Sequence, residues 1–363
     1  MGCGFWETLG WVGDPEAFGL TNDDLILDKD GNPCLTSWIF NPFGGGTAFI
    51  DISTEKARAY IKRRTVEEMK FFRPEVIKLD YGYGIPGPQM GVPRNPELRG
   101  EKYAFEMIKL ISEAAKSVNP DVTILYYCIN PLFQEHIDIV SLDDQGDMWY
   151  AIKEGHDQWS IWASLLSNSK TAISGSSSYD WDTDDEVILN SFILGSPNAV
   201  LPTQMPDGSP VPEKYLNRRL AINKWYRRTI LWEPLWINSH TGNLTAPPNL
   251  NCWGRMENKK LTALVLRGEK EPGYQELAPF EWKGRWAIIA QDDKSVAESS
   301  KLAVVPFDEG QISIKASSKP KKILVVGLSS ENESRDWTWE QGFIKIKITN
   351  ENLSTIAGFL IDF

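Results

Sequence analysis

Apolar positions follow two different rhythms along the 363-residue chain. Up to about residue 230, short apolar runs alternate with longer stretches in which apolar residues recur every three or four positions. The runs at 2–9, 76–79, 122–128, 137–142, 171–174 and 199–201 predict strands. Between them, Ala104, Ile108, Ile111, Ala115 and Val118 share one face of a predicted helix, which Asn119-Pro120 ends. An earlier helix is expected from Ser53, its N-cap, to about Phe72, just before Arg73-Pro74. Strands separated by helices at this spacing predict a parallel sheet with crossover connections.

No glycine-rich phosphate loop follows any of these strands, which argues against a nucleotide-binding sheet. Polar residues collect instead at strand C-terminal ends: Lys78 and Asp80, Cys128 and Asn130, Asp143 and Asp144, Asp180 and Asp182. A (β/α)8-type (TIM) barrel builds its catalytic face at that end, so a barrel is expected over residues 1–232. After about Trp232 the rhythm changes. Short runs at 261–266, 286–290, 302–305, 311–314, 322–326, 343–348 and 358–363 are separated by turn residues. Ile344, Ile346 and Ile348 alternate with Lys345 and Lys347, the pattern of a half-buried strand. An antiparallel β-sandwich is expected over residues 233–363.

Composition narrows the function. A chain 42% hydrophobic and 24% charged buries a core and is not disordered. A net charge of -11 repels phosphate backbones, so nucleic acid is not an expected partner. The run Lys319-Pro320-Lys321-Lys322 reads as a solvated turn before a strand. Cys3, Cys34, Cys128 and Cys252 contain no CxxC pair, and His136, His156 and His240 share no ligand spacing. Neither a disulfide framework nor a metal site is indicated, and no metal or cofactor is expected. No apolar stretch reaches the length of a bilayer span, and the opening residues lack a basic segment followed by a long apolar one. Neither a membrane partner nor a signal peptide is expected. Compartment and homo-oligomer formation are left open. The 15 Trp residues suit stacking on sugar rings as well as they suit a core.

Two segments carry candidate chemistry. In Val76-Ile77-Lys78-Leu79-Asp80 the strand delivers Lys78 and Asp80 two residues apart, on one side of the sheet. An ammonium beside a carboxylate favours the charged form that a nucleophile needs, although a structural ion pair has the same pattern. In Leu142-Asp143-Asp144-Gln145-Gly146-Asp147 three acids crowd one strand end, an arrangement that favours a protonated carboxyl able to act as general acid. An Asp-rich helix cap, with Asp147 in that role, is the competing reading.

Together these segments resemble the α-galactosidase clan of glycoside hydrolases, families 27 and 36. The segment Phe49-Ile50-Asp51-Ile52-Ser53, a helix, and then Ile77-Lys78-Leu79-Asp80 is similar to the clan's nucleophile region. Asp144, five residues before Trp149, resembles its acid/base motif, and Tyr127-Cys128-Ile129-Asn130 lies where family 36 carries a sugar-contacting cysteine. The opening Phe5-Trp6-Glu7-Thr8-Leu9-Gly10-Trp11 is similar to a motif of the raffinose-synthase branch. The resemblance covers residues 2–201. It implies a retaining α-glycosidase acting on an oligosaccharide or glycoside, with Asp80 as nucleophile and Asp144 as acid/base. It also implies that Lys78 binds a ring hydroxyl, that Cys128 and Asn130 lie near the sugar, and that Trp6 and Trp181 form aromatic walls beside Asp182.

The chain departs from the clan in three places. Val140 stands where the clan has an Arg upstream of the acid/base, and Ile129-Asn130-Pro131 replaces the glycine-rich run after Cys128. If residues 2–9 are the clan's third strand, the first two are missing, and a fragment of a longer barrel is the expected explanation. Three other readings remain. One is another α-glycosidase specificity, including families 29 and 31. Another is a non-catalytic carbohydrate-binding barrel remnant. The last is a metal-dependent hydrolase using Asp143, Asp144 and Asp147.

Overall fold

The structure, a computed structural model, describes residues 3–36, 45–80, 91–127, 130–141, 172–174, 185–194, 204–205, 207–226, 233–237, 252–269, 279–334 and 337–363. They form two compact units, Met1–Val140 and Ser141–Phe363.

In the first unit, β1 (Gly4–Thr8) is followed by a small antiparallel sheet of β2 (Trp11–Val12), β3 (Leu35–Thr36) and β4 (Thr47–Phe49), in the order β2-β4-β3. Then come α1 (Glu55–Phe72), β5 (Val76–Asp80), α2 (Glu101–Val118), β6 (Thr123–Tyr126) and β7 (Ile139–Ser141). Strands β1, β5, β6 and β7 lie side by side in that order, and all three pairings are parallel. The alternation within β5 explains its position. Ile77 and Leu79 are fully buried, while Val76, Lys78 and Asp80 on the other face are partly accessible.

Helix α1 starts one residue later than the Ser53 cap expected from the sequence. The cap is Thr54, whose hydroxyl accepts the Ala57 N–H at 3.1 Å. Ser53 is used elsewhere: its N–H donates to Asp51 and its hydroxyl accepts from the Asn95 N–H, both at 2.9 Å. At the other end, Arg73 adopts a left-handed conformation and Pro74 follows, so the helix cannot continue. Helix α2 ends at Asn119 as its sequence predicts, and Arg58 of α1 binds Glu106 of α2 at 3.1 Å.

The second unit opens with β8 (Ala172–Ser174), α3 (Asp185–Leu194) and α4 (Glu213–Trp225). Strands β9 (Glu233–Ile237), β10 (Cys252–Glu257), β11 (Lys260–Leu266), β12 (Phe280–Lys283), β13 (Trp286–Ala290) and β14 (Lys301–Pro306) follow. Next are β15 (Gly310–Lys315), β16 (Lys322–Gly327), β17 (Ser330–Glu333), β18 (Trp337–Glu340), β19 (Phe343–Ile348), the single turn α5 (Asn350–Leu353) and β20 (Gly358–Asp362). They make an eight-stranded sheet, β17-β16-β20-β14-β13-β11-β10-β9, and a four-stranded one, β12-β15-β19-β18, with antiparallel pairing throughout. Leu264, Ile288 and Val304 of the first share one core with Trp282, Ile312 and Ile346 of the second.

Helices α3 and α4 are tied to this sandwich by charge. Arg218, 1% exposed, donates to Asp185 at 2.5 Å and to the Phe307 carbonyl at 2.8 Å. Lys214 also binds Asp185, at 2.7 Å, and Arg285 joins Asp308 at 2.6 Å and pairs with Glu186. Gly358 of β20 has to be a glycine, because a Cβ there would come within 2.7 Å of the Trp225 ring.

The described architecture is therefore mixed α/β, with a parallel sheet and antiparallel sheets. The predicted strand at 199–201 lies outside the described residues. Among the described residues no helix is long and apolar enough to cross a membrane.

Candidate active site

Parallel pairing of β1 with β5 sets Trp6 opposite Lys78 and Thr8 opposite Asp80. Trp6, Lys78 and Asp80 thus share one face near the C-terminal ends of two adjacent strands. Asp80 Oδ2 accepts the Trp6 indole N–H at 2.8 Å and lies 3.2 Å from Lys78 Nζ. The same ammonium sits 5.0 Å from the centre of the Trp6 ring, within cation–π range. Three of the residues predicted as site residues therefore form one cluster. The indole is 60% exposed and offers an open aromatic surface beside a carboxylate held by two donors.

On the opposite face, Glu7 is buried against α1. Arg64 reaches Glu7 Oε1 and Glu68 Oε1, both at 3.0 Å, and Glu7 Oε2 has no partner among the described residues. Burial pushes the Glu7 carboxyl up to about 7, with Glu68 adding to the rise and Arg64 opposing it. The alternation of one strand thus divides it between an open polar face and a buried charged one.

A second group of contacts holds Asp51 and Arg94 in place ahead of α1 and α2. Asp51, fully buried, accepts the Ser53 and Arg94 N–H groups, each at 2.9 Å. The Arg94 guanidinium binds the Asn22 carbonyl at 3.0 Å, the Asp23 carboxylate at 3.1 Å and the Asp23 carbonyl. Tyr103 of α2 donates to the Ile50 carbonyl at 2.7 Å. Neither Arg94 nor Tyr103 is singled out by the sequence. The one local signal is Asp51-Ile52-Ser53, an Asx-turn pattern in which the carboxylate bonds to the backbone two residues on.

Asn130 begins a short 3-10 turn. Its side-chain oxygen accepts the Leu132 N–H at 2.9 Å and its amide reaches Glu101 at 3.4 Å. In this arrangement the side chain caps the backbone. Asp144, Cys128, Trp181 and Asp182 lie outside the described residues, as do Asp143 and Asp147 of the metal reading. Among the described residues no three His, Cys, Asp or Glu side chains gather to hold a metal ion.

The sequence matches no protein-family model and no curated protein. Solved structures do resemble it. An isomalto-dextranase of Arthrobacter globiformis T6, complexed with panose, aligns with 98% of this chain and 58% of its own at 13% identity and a TM-score of 0.50. A GH27 β-L-arabinopyranosidase from Geobacillus stearothermophilus, in complex with arabinose, aligns with 99% of this chain and 74% of its own at 9% identity and a TM-score of 0.45. A maltogenic α-amylase from Thermotoga neapolitana aligns with 100% and 78% at 11% identity and a TM-score of 0.45. The chain spans a little over half the length of the isomalto-dextranase. At 13% identity the likeness to the isomalto-dextranase is one of fold.

Proposed function

We propose that the chain is the catalytic part of a retaining α-glycosidase of the α-galactosidase type, in the branch that includes raffinose synthase. The observation that carries this reading is the convergence of Trp6 Nε1 and Lys78 Nζ on one oxygen of Asp80 at the end of a parallel strand. In this reading residues 1–232 build a (β/α)-barrel and residues 233–363 its accompanying sandwich. Asp80 attacks the anomeric carbon as the bond to the leaving oxygen breaks, and Asp144 gives its proton to that oxygen. Asp144 then takes a proton from water, whose oxygen attacks the same carbon and frees Asp80. Retention requires the two carboxyl groups to stand about 5 to 5.5 Å apart.

Trp6 and Lys78 hold one oxygen of the nucleophile, leaving its orientation toward the sugar set before substrate arrives. The exposed indole supplies an apolar face for the ring. Cys128, Asn130, Trp181 and Asp182 complete the sugar contacts, with Cys128 near the 2-hydroxyl.

The test is release of nitrophenol from a panel of nitrophenyl α-glycosides, with wild type compared with Asp80→Ala. Turnover of the α-galactoside that disappears in the variant supports the reading. Turnover that survives in Asp80→Ala overturns it, and no turnover on any member shifts the reading to a non-catalytic carbohydrate-binding barrel.

A further inference from the structure

Residues from 13–35 and 46–48 line a cavity of about 700 Å³ that no element of the proposed chemistry uses. Its floor is apolar and buried: Leu20, Leu25 and Ala48. The accessible lining includes Glu16, Asn22 and Leu35, the last 55% exposed. The volume falls in the range of small-molecule sites, roughly 300–1,000 Å³. Among the described residues no lysine or arginine lines it, while Asp14 and Glu16 do, so the lining disfavours phosphates and other anions. Among the described residues the Glu16 carboxylate and the Asn22 side-chain amide make no hydrogen bond within the protein. Planar polar groups over an apolar floor suit a neutral, polyhydroxylated ligand, whose hydroxyls can both donate and accept.

The walls are braced before any ligand arrives. Thr21 donates its N–H and its hydroxyl to Asp24 Oδ2 at 3.0 and 3.1 Å, Asp24 Oδ1 accepts the Thr54 hydroxyl at 2.8 Å, and Arg94 grips the Asn22 carbonyl at 3.0 Å. The cavity is also near Asp80. The Leu9 N–H bonds the Asp80 carbonyl at 2.8 Å. Gly13, on the cavity rim, follows four residues later, and at ~3.6 Å per residue it lies within about 15 Å of that bond.

We propose that this cavity is a distal subsite that holds the far end of an extended neutral oligosaccharide whose terminal sugar sits at Asp80. This rests on the glycosidase reading above and specifies its substrate as an oligosaccharide. The probes are 4-nitrophenyl α-galactoside, which ends at the first sugar, and stachyose, an α-galactosyl tetrasaccharide. The variant is Glu16→Ala/Asn22→Ala, which alters two accessible side chains. Loss of two hydrogen bonds to substrate is expected to lower kcat/KM for stachyose at least tenfold, while kcat/KM for the nitrophenyl galactoside stays within twofold of wild type. Equal losses on both probes, or no loss on stachyose, overturn the subsite. If wild type hydrolyses neither probe, the α-galactosidase reading fails on its own. Calorimetric titration of stachyose into Asp80→Asn then decides the subsite separately. Binding that weakens at least tenfold on adding Glu16→Ala/Asn22→Ala supports it, and no binding, or binding indifferent to those changes, overturns it.

Discussion

The indole N–H of Trp6 reaches Asp80 Oδ2 at 2.8 Å, although the strand register sets Trp6 opposite Lys78 and not Asp80. The ring leans along β1 toward the strand's C-terminal end and meets the carboxylate two residues up the neighbouring strand. Lys78, directly opposite, occupies the space beneath it, 3.2 Å from the same oxygen. One carboxylate oxygen therefore serves two donors from two strands, and this geometry makes the roles of the three side chains separable by substitution.

Trp6→Phe keeps an aromatic face and removes only the N–H. A hydrogen bond to a charged group contributes about 1.5–3 kcal/mol. If Asp80 is the nucleophile, kcat/KM on the α-galactoside should fall roughly 10- to 100-fold. An unchanged kcat/KM would mean that the indole bond plays no part in turnover.

The two proposed carboxylates should respond differently to the leaving group. Asp80→Ala is expected to abolish hydrolysis on every substrate, and azide is not expected to restore a product of retained configuration. Asp144→Ala should keep measurable activity on nitrophenyl glycosides, which need little protonation, and lose it on alkyl glycosides. Equal loss on both kinds would remove Asp144 from the acid/base role.

Glu7 sets a pH dependence of stability. Its carboxyl, raised by burial from 4.5 to about 7, binds a proton more tightly in the folded chain than in the unfolded one. Its contribution to stability is therefore fully present below about pH 4.5 and is lost as pH rises through about 7. Glu7→Gln keeps an acceptor for Arg64 and gives Glu68 a donor, so its Tm should exceed that of wild type at pH 8 by several degrees, with no such gain at pH 4. Melting curves at both values check this. A Gln variant that melts lower than wild type at pH 8 contradicts the assignment.

In the second unit, Arg218→Ala leaves the Asp185 carboxylate without its closest buried partner. Removing one member of a buried ion pair costs about 3–5 kcal/mol. Lys214, at 2.7 Å, and Arg285, at 3.7 Å, remain to offset part of that. Denaturant unfolding should show a loss of about 3 kcal/mol, and a loss below 1 kcal/mol would show that Lys214 and Arg285 suffice.

Much of this molecule was legible in its residue order, because local periodicity reports burial directly. Strands 286–290 and 343–348 occur within the predicted bounds, and α2 stops at the predicted Asn119-Pro120 break. The alternation in β5 places Lys78 and Asp80 on one face whatever strands lie beside it, since successive side chains of a strand point to opposite sides. Other features had no such local signal. The strands β2 and β3 have two residues each, too short for a period to show, and they exist because β4 pairs with both. The N-cap of α1 fell to Thr54 because Ser53 is drawn to Asp51 and Asn95, and Asn95 is 42 residues away.

The sequence by itself determined the rhythm of elements, the two kinds of sheet, and the delivery of a lysine and an aspartate to one strand end. These follow from spacing along one chain. Only the tertiary structure decided that Trp6 bonds Asp80, that Glu7 faces Arg64, and that Arg94 reaches back to Asn22 and Asp51. Each joins residues 43 to 74 positions apart. The register between β1 and β5 brings Trp6 to Asp80, α1 carries Arg64 to Glu7, and the Asp51 carboxylate and the Asn22 carbonyl meet Arg94, none of which any local pattern encodes.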